Sequence, residues 1–227
     1  MIDLTKHSDT VPATLKTAAP ELHPLGLAMN VPSELADIFP QHSGSEWQLY
    51  VASLSHYNAG KLVGAWLDIE DLDADEISEA ITAFLQWLDN QERLRDPANY
   101  LYLGPVEEYA IHDSDCPIDI DEWPDFEELC AWKEVYRQHG AFIAKAAADE
   151  QIPPESVDDA LVAYVEESGS GFLGAKKTWA YDQLIELGCP EQFADMIDLD
   201  HAFNNYILDY KWAFDFHHGL VVFSNRY

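Results

Sequence analysis

Several sets of side chains in this 227-residue sequence are spaced as if for chemistry. Asp71-x-Asp73-x-Asp75 has the alternating carboxylates that open a calcium-binding loop. Such a loop needs glycine at its sixth position and glutamate at its twelfth, where this chain has Glu76 and Thr82. Helix capping and a solvated face account for the three aspartates better. His112-Asp113 and His217-His218 offer metal ligands or a general base, yet neither has a second ligand at a spacing such as HExxH. They read as a polar pair at a strand end and as a hairpin turn. Gly169-x-Gly171-x-x-Gly174 spells a nucleotide-binding pattern with Lys176-Lys177 behind it. Glu166-Glu167 in front and the lack of a βαβ unit oppose phosphate binding, so the segment reads as a mobile loop. No serine sits in a GxSxG elbow. Cys116, Cys130 and Cys189 are far apart and form no CxxC pair, as expected of reduced, partly buried thiols. We assign no catalytic, cofactor-binding or metal-binding residue.

What remains is the carboxylates themselves. Forty-two acids against twelve bases give a formal net charge of −30. Such self-repulsion opposes compaction, and it calls for a reason: hydration in brine, or attraction of something strongly positive. The chain holds 48% hydrophobic residues and 12% aromatics, so it is a globular protein, not an acidic disordered tail. Its charge opposes direct binding to nucleic acid or anionic lipid. With no long apolar run and no basic-then-apolar leader, the expected location is cytoplasmic. Residues 1–45 carry five prolines and a charge of only −3, and read as a flexible extension. Residues 66–128 carry twenty acids and two bases, a net of −18.

The elements that must position these acids can be read from periodicity. Residues 48–57 and 61–69, either side of Asn58-Ala59-Gly60, predict a β-hairpin. A helix capped by Asp73 or Asp75 follows, with Ile77, Ile81, Phe84, Leu85 and Leu88 on one stripe and Asp75, Glu76 and Glu79 opposite. Residues 107–112 read as a third strand. Asp125 starts another helix with Glu128 placed as in a capping box; Phe126, Leu129 and Tyr136 face inward, Glu127 and Glu134 outward, and Gly140 stops it. Residues 141–150 form a helix ended by Pro153-Pro154. A short helix capped at Ser156, a strand over 160–165 and a helix over 175–187 come next. Residues 211–216 and 220–224 close the chain as a second hairpin. After Pro32, residues 33–38 have room for a turn or two of helix. Two sheet regions separated by helices predict an α+β chain of several small domains.

Tyr50-Val51-Ala52-x-Leu54-x-x-Tyr57-Asn58-x-Gly60-x-Leu62-x-Gly64-Ala65-Trp66 closely resembles the opening block of the ArdA antirestriction proteins. Glu108-Tyr109-Ala110-Ile111-His112-Asp113 is similar to a later strand of that family, and Glu186-Leu187-Gly188 with Ile197-Asp198-x-Asp200-x-Ala202-Phe203 to its C-terminal pattern. The resemblance covers about residues 47–227. It implies an elongated chain of three small domains that dimerises through the last: an acidic domain over 46–121 with a three-stranded antiparallel sheet and a helix, a helical domain over 122–157, and an α+β domain over 158–227. It implies an inhibitor with no catalytic residues, a mimic of B-form DNA that fills the DNA-binding groove of type I restriction-modification enzymes at the methyltransferase core. Gly60 and Trp66 read as residues of the turn and the sheet.

On that reading the target-facing charge is Asp68, Glu70, Asp71, Asp73, Asp75, Glu76 and Glu79, then Glu107, Glu108, Asp113, Asp115, Asp119, Asp121, Glu122, Asp125, Glu127, Glu128 and Glu134. The alternatives are a DNA mimic aimed at another DNA-binding protein, an acidic halophilic protein of unrelated function, and an enzyme built on a carboxylate or on His112. The last would show a concave pocket with converging titratable groups.

Overall fold

In the computed structural model, Phe39 and residues 44–227 are described. They divide into two compact units, the first ending at Cys130 and the second running from Ala131 to Tyr227. The architecture is α+β, as expected, with one three-stranded antiparallel sheet in each unit.

In the first unit the strand Gln48–Ser53 (β1) is buried along its whole length. It does not run directly into a hairpin. Residues Leu54–Asn58 form a short helix (α1) before the chain returns as Gly64–Asp68 (β2). The expected pairing of the two strands holds, since Leu49 lies opposite Leu67 and Val51 opposite Ala65. The expected tight turn is corrected: Ser53 N–H donates to Val63 O, and Lys61 N–H donates to His56 O, so the backbone closes around a helical turn. Gly60 ends this connection at φ 77°, in the left-handed region that glycine enters without steric cost.

Asp73 caps the helix Ala74–Arg95 (α2): its side chain accepts from Glu76 N–H while Glu76 accepts from Asp73 N–H, a complete capping box. The predicted stripe of Ile77, Ile81, Phe84, Leu85 and Leu88 is buried. Each such side chain contributes about 1.5–3 kcal/mol by leaving water. Phe39 is buried too and stacks on Phe84, with ring centroids 5.0 Å apart. This one residue of the expected extension therefore packs on the core, while the helix expected at 33–38 lies outside the described residues.

A helix not anticipated from the sequence, Pro97–Leu103 (α3), follows, capped by Asp96, which accepts from Asn99 N–H. The third strand, Tyr109–Asp115 (β3), pairs with β1 in the order β2-β1-β3. The helix Phe126–His139 (α4) starts where predicted, with Asp125 Oδ1 accepting from Glu127 and Glu128 N–H. The boundary between the two units falls within it.

The second unit continues through Ala141–Asp149 (α5) and a 3-10 turn at Pro154–Ser156 to Val157–Ala160 (α6). Ser156 precedes α6 as expected, but its side chain makes no capping bond. Then come Leu161–Glu166 (β4), Gly171–Glu186 (α7), Glu191–Ala194 (α8), Leu199–Tyr206 (α9), Tyr210–Asp215 (β5) and Gly219–Ser224 (β6). The predicted C-terminal hairpin of β5 and β6 is present, and β4 completes a sheet ordered β4-β6-β5. Trp179, Phe203, Leu220 and Val222 form its core.

The glycine-rich segment is not a loop throughout, because α7 begins at Gly171. Glu167 Oε1 accepts from Gly171 N–H at 2.9 Å, so a carboxylate of the chain already occupies the helix end where a phosphate would sit. Lys176 is paired with Asp200 and lies over the Phe172 ring.

Candidate functional site

Of the eighteen acids singled out from the sequence, sixteen are exposed, and Asp68 and Glu76 are half-buried. Their positions follow from the elements beneath them. Asp68 ends β2, and its Oδ1 accepts from Glu70 N–H at 3.1 Å, which shapes the turn carrying Glu70 and Asp71. Asp73 is the cap of α2, Asp75 and Glu76 lie in its first turn, and Glu79 follows on an exposed position. Carboxylates at a helix N-terminus are favoured by the macrodipole, so these charges also support the helix. Glu107 and Glu108 precede β3, while Asp113 and Asp115 alternate on it. Asp119, Asp121 and Glu122 lie in the irregular segment after β3, and Asp125, Glu127 and Glu128 at the start of α4. Glu134 belongs to the second unit and is 3.4 Å from Arg137.

One feature of the first unit was not legible in the sequence. A cavity of about 700 Å³ is lined by Tyr50, Tyr57, Trp66, His112, Asp113 and Glu122, among others. Strand register builds it, since Tyr50 lies opposite Trp66 on one side and Asp113 on the other. Between β1 and β3 the register shifts. Tyr50 faces Asp113 and Val51 faces Ile111, which leaves His112 as the extra residue of a bulge. The pair His112-Asp113 thus sits inside β3, not at a strand end. The His112 ring packs edge-on to Tyr57 at 4.6 Å, and its Nε2 is 4.0 Å from Glu122 Oε1. The Trp66 ring packs edge-on to Tyr50 at 5.5 Å.

Tyr50 is 5% exposed, and its hydroxyl has no hydrogen-bond partner. Burial pushes its pKa up, which keeps the phenol neutral. Gly64 leaves room for it, as a Cβ there would meet the Tyr50 ring at 2.9 Å.

Elsewhere, His217 and His218 form the β5–β6 turn as expected, and Asp215 Oδ1 accepts from both their backbone N–H groups. The three cysteines are free and half-buried. Among the described residues no group of three or more His, Cys, Asp or Glu side chains is arranged to hold a metal ion, and no helix is long and apolar enough to cross a membrane.

Compared with curated proteins, the chain gives no match. The family model described as "Antirestriction protein (ArdA)" matches residues 49–225. That span takes in all the strands except Gln48 at the start of β1, the cavity and all eighteen acids, leaving only the N-terminal 48 residues and the last two unmatched. Proteins of this family are non-enzymatic and act on restriction-modification enzymes. The chain belongs to the ArdA family of antirestriction proteins.

Proposed function

We propose that the protein is a DNA mimic that inhibits type I restriction-modification enzymes by filling the DNA-binding groove of the methyltransferase and specificity core. Its ligand is a cationic cleft, and its contact surface is the set of outward carboxylates from Asp68 to Glu134. The observation that carries this reading is their placement: sixteen of the eighteen are exposed and two half-buried, around an α2 stripe and a strand β1 that are buried. Acids held on regular elements are preorganised, so binding loses little side-chain freedom. Duplex DNA carries one charge per about 1.7 Å of axis, so the chain's 30 net charges match roughly 50 Å, or about 15 base pairs. Phosphate contacts supply most sequence-independent affinity for DNA, and a decoy needs only their charge and spacing.

The proposal includes three domains in an elongated chain, a cytoplasmic location, and a homodimer formed through the C-terminal domain. The exposed apolar side chains Leu187, Phe193 and Met196 in the second unit support self-association. The test is competition: purified type I methyltransferase should release duplex DNA when the protein is added. Loss of competition on neutralising the acids of 68–79 or 107–128 as blocks, with the fold retained, supports the reading. Full competition by both block variants overturns it.

The cavity beside His112 favours the enzyme alternative, because titratable groups converge there. The family's non-enzymatic character favours binding over catalysis there.

A further inference from the structure

We propose that the cavity formed by Tyr50, Tyr57, Trp66, Asp113 and Glu122 is a socket for one guanidinium group, an arginine side chain presented by the target. That the arginine comes from a DNA-binding groove rests on the function proposed above; the chemistry of the socket does not.

Three observations converge on a planar cation. The walls are aromatic, and the negative faces of Trp and Tyr rings attract cations, Trp most strongly. Two exposed carboxylates, Asp113 and Glu122, add negative charge. Then there is the Tyr50 hydroxyl, buried without a partner in a residue that lines the cavity. A buried polar atom left unpaired is costly, and a ligand that bonds to it recovers that loss. Because the phenol stays neutral, its oxygen can accept from a donor, and a guanidinium carries five donors and no acceptor.

Arginine suits the site better than lysine does. A flat guanidinium stacks on Trp66 or Tyr57 while its fork of N–H groups reaches a carboxylate and a hydroxyl together. An ammonium is a compact, strongly hydrated charge and gains less from the rings. His112 leaves the Glu122 carboxylate open, since at 4.0 Å it is beyond hydrogen-bond range, while Asp113 Oδ1 accepts from Ser114 N–H. The cavity volume of about 700 Å³ lies within the range of about 300–1,000 Å³ usual for small-ligand pockets, so the side chain enters with its flanking backbone.

The socket makes one part of the interface sensitive to shape, where the rest reads charge alone. The test titrates the full-length protein, labelled at its indole nitrogens, with the peptide acetyl-Gly-Arg-Gly-amide, and follows the Trp66 indole signal by NMR. A Trp66→Phe variant assigns that signal. Matched peptides carry lysine or citrulline in place of arginine. We expect the arginine peptide to shift Trp66, citrulline to leave it unmoved, and lysine to bind several-fold more weakly. Tyr50→Phe, which removes one oxygen, and Asp113→Asn should each weaken arginine binding by about three- to tenfold, the span of the net contribution of one hydrogen bond. Glu191→Gln, an exposed acid outside both the cavity and the eighteen contact acids, should leave it unchanged. Equal binding of lysine and arginine, or equal loss in Glu191→Gln and Asp113→Asn, would show diffuse attraction and overturn the socket. So would a Trp66 signal that never moves. Competition with methyltransferase is scored separately: peptide binding without enzyme binding keeps the socket and removes the proposed target, and enzyme binding without peptide binding does the reverse.

Discussion

Nε2 of His56 lies 3.6 Å from Oε1 of Glu92, and both side chains are almost wholly excluded from solvent. This pair ties α1, the helical turn between β1 and β2, to the last turns of α2. His56 Nδ1 is fixed in turn by Ser53 Oγ at 2.9 Å, and Arg95 reaches the other Glu92 oxygen at 3.2 Å. The distance to His56 exceeds a hydrogen bond, so the attraction is electrostatic more than directional. Glu92→Ala removes the carboxylate facing the buried His56 ring and the acceptor of Arg95, and should cost about 1–3 kcal/mol in urea unfolding, the usual penalty for leaving buried polar groups without a partner.

The same pair gives a pH dependence. His56 is the largest influence holding the Glu92 carboxyl below its usual pKa; burial opposes it, while Arg95 and Lys61 add to the lowering. A carboxylate with a depressed folded-state pKa stabilises the fold above its unfolded value. That contribution is present above about pH 4.5 and fades as pH falls through the folded value. Stability measured from pH 6 down to 3 should decline less steeply in Glu92→Gln than in the parent. Parallel curves would remove Glu92 from the acid transition.

Asp73 has two separable roles. Asp73→Ala removes both the cap and the charge and should destabilise α2 by about 1 kcal/mol. Asp73→Asn keeps a good capping side chain, so unfolding should change by only a few tenths of a kcal/mol. Its competition against DNA should drop slightly, as expected when one of many charges is lost. If the Asn variant were as unstable as the Ala variant, capping would not be the stabilising term.

Gly64→Ala tests the close approach of β2 to β1. The added methyl meets the Tyr50 ring at 2.9 Å and also crowds the Val51 carbonyl. Neither is a flexible chain end, and overpacking of this kind costs about 1–3 kcal/mol. Unfolding by urea should show that loss, and the Trp66 environment should change with it, because Trp66 packs on Tyr50.

Much of this fold is written in local signals. The α2 stripe, its cap at Asp73, the start of α4 at Asp125 and the C-terminal hairpin all follow from residue spacing. Of the helices that were overlooked, α3 and α9 had their signals present. Asp96 followed by Pro97 is a cap with proline at the first helical position, and Asp198 caps α9 ahead of Leu199, Ala202 and Phe203. The α1 turn was hidden for a different reason. Leu54, Ser55, His56 and Tyr57 favour neither state by propensity, and the buried contact of His56 with Glu92, thirty-six residues on, decides it. The cavity was out of reach because strand register and the bulge at His112 set it, and a one-residue slip would turn every side chain over. The exposure of the acids on α2 and α4 was legible from their helical spacing, whereas Asp119, Asp121 and Glu122 lie in an irregular segment that no periodicity marks. The partner of the acids was not legible, because charge spacing does not name its recipient.

On the function proposed above, a cationic DNA-binding groove takes these carboxylates for phosphates. The most direct measurement is the affinity of the protein for purified type I methyltransferase as salt rises across the range of about 50–200 mM in which protein–DNA affinities fall steeply. A polyanion mimic should lose affinity by orders of magnitude and should compete with duplex DNA at every salt concentration. Affinity that stays flat with salt, or binding that leaves the DNA in place, would contradict the account.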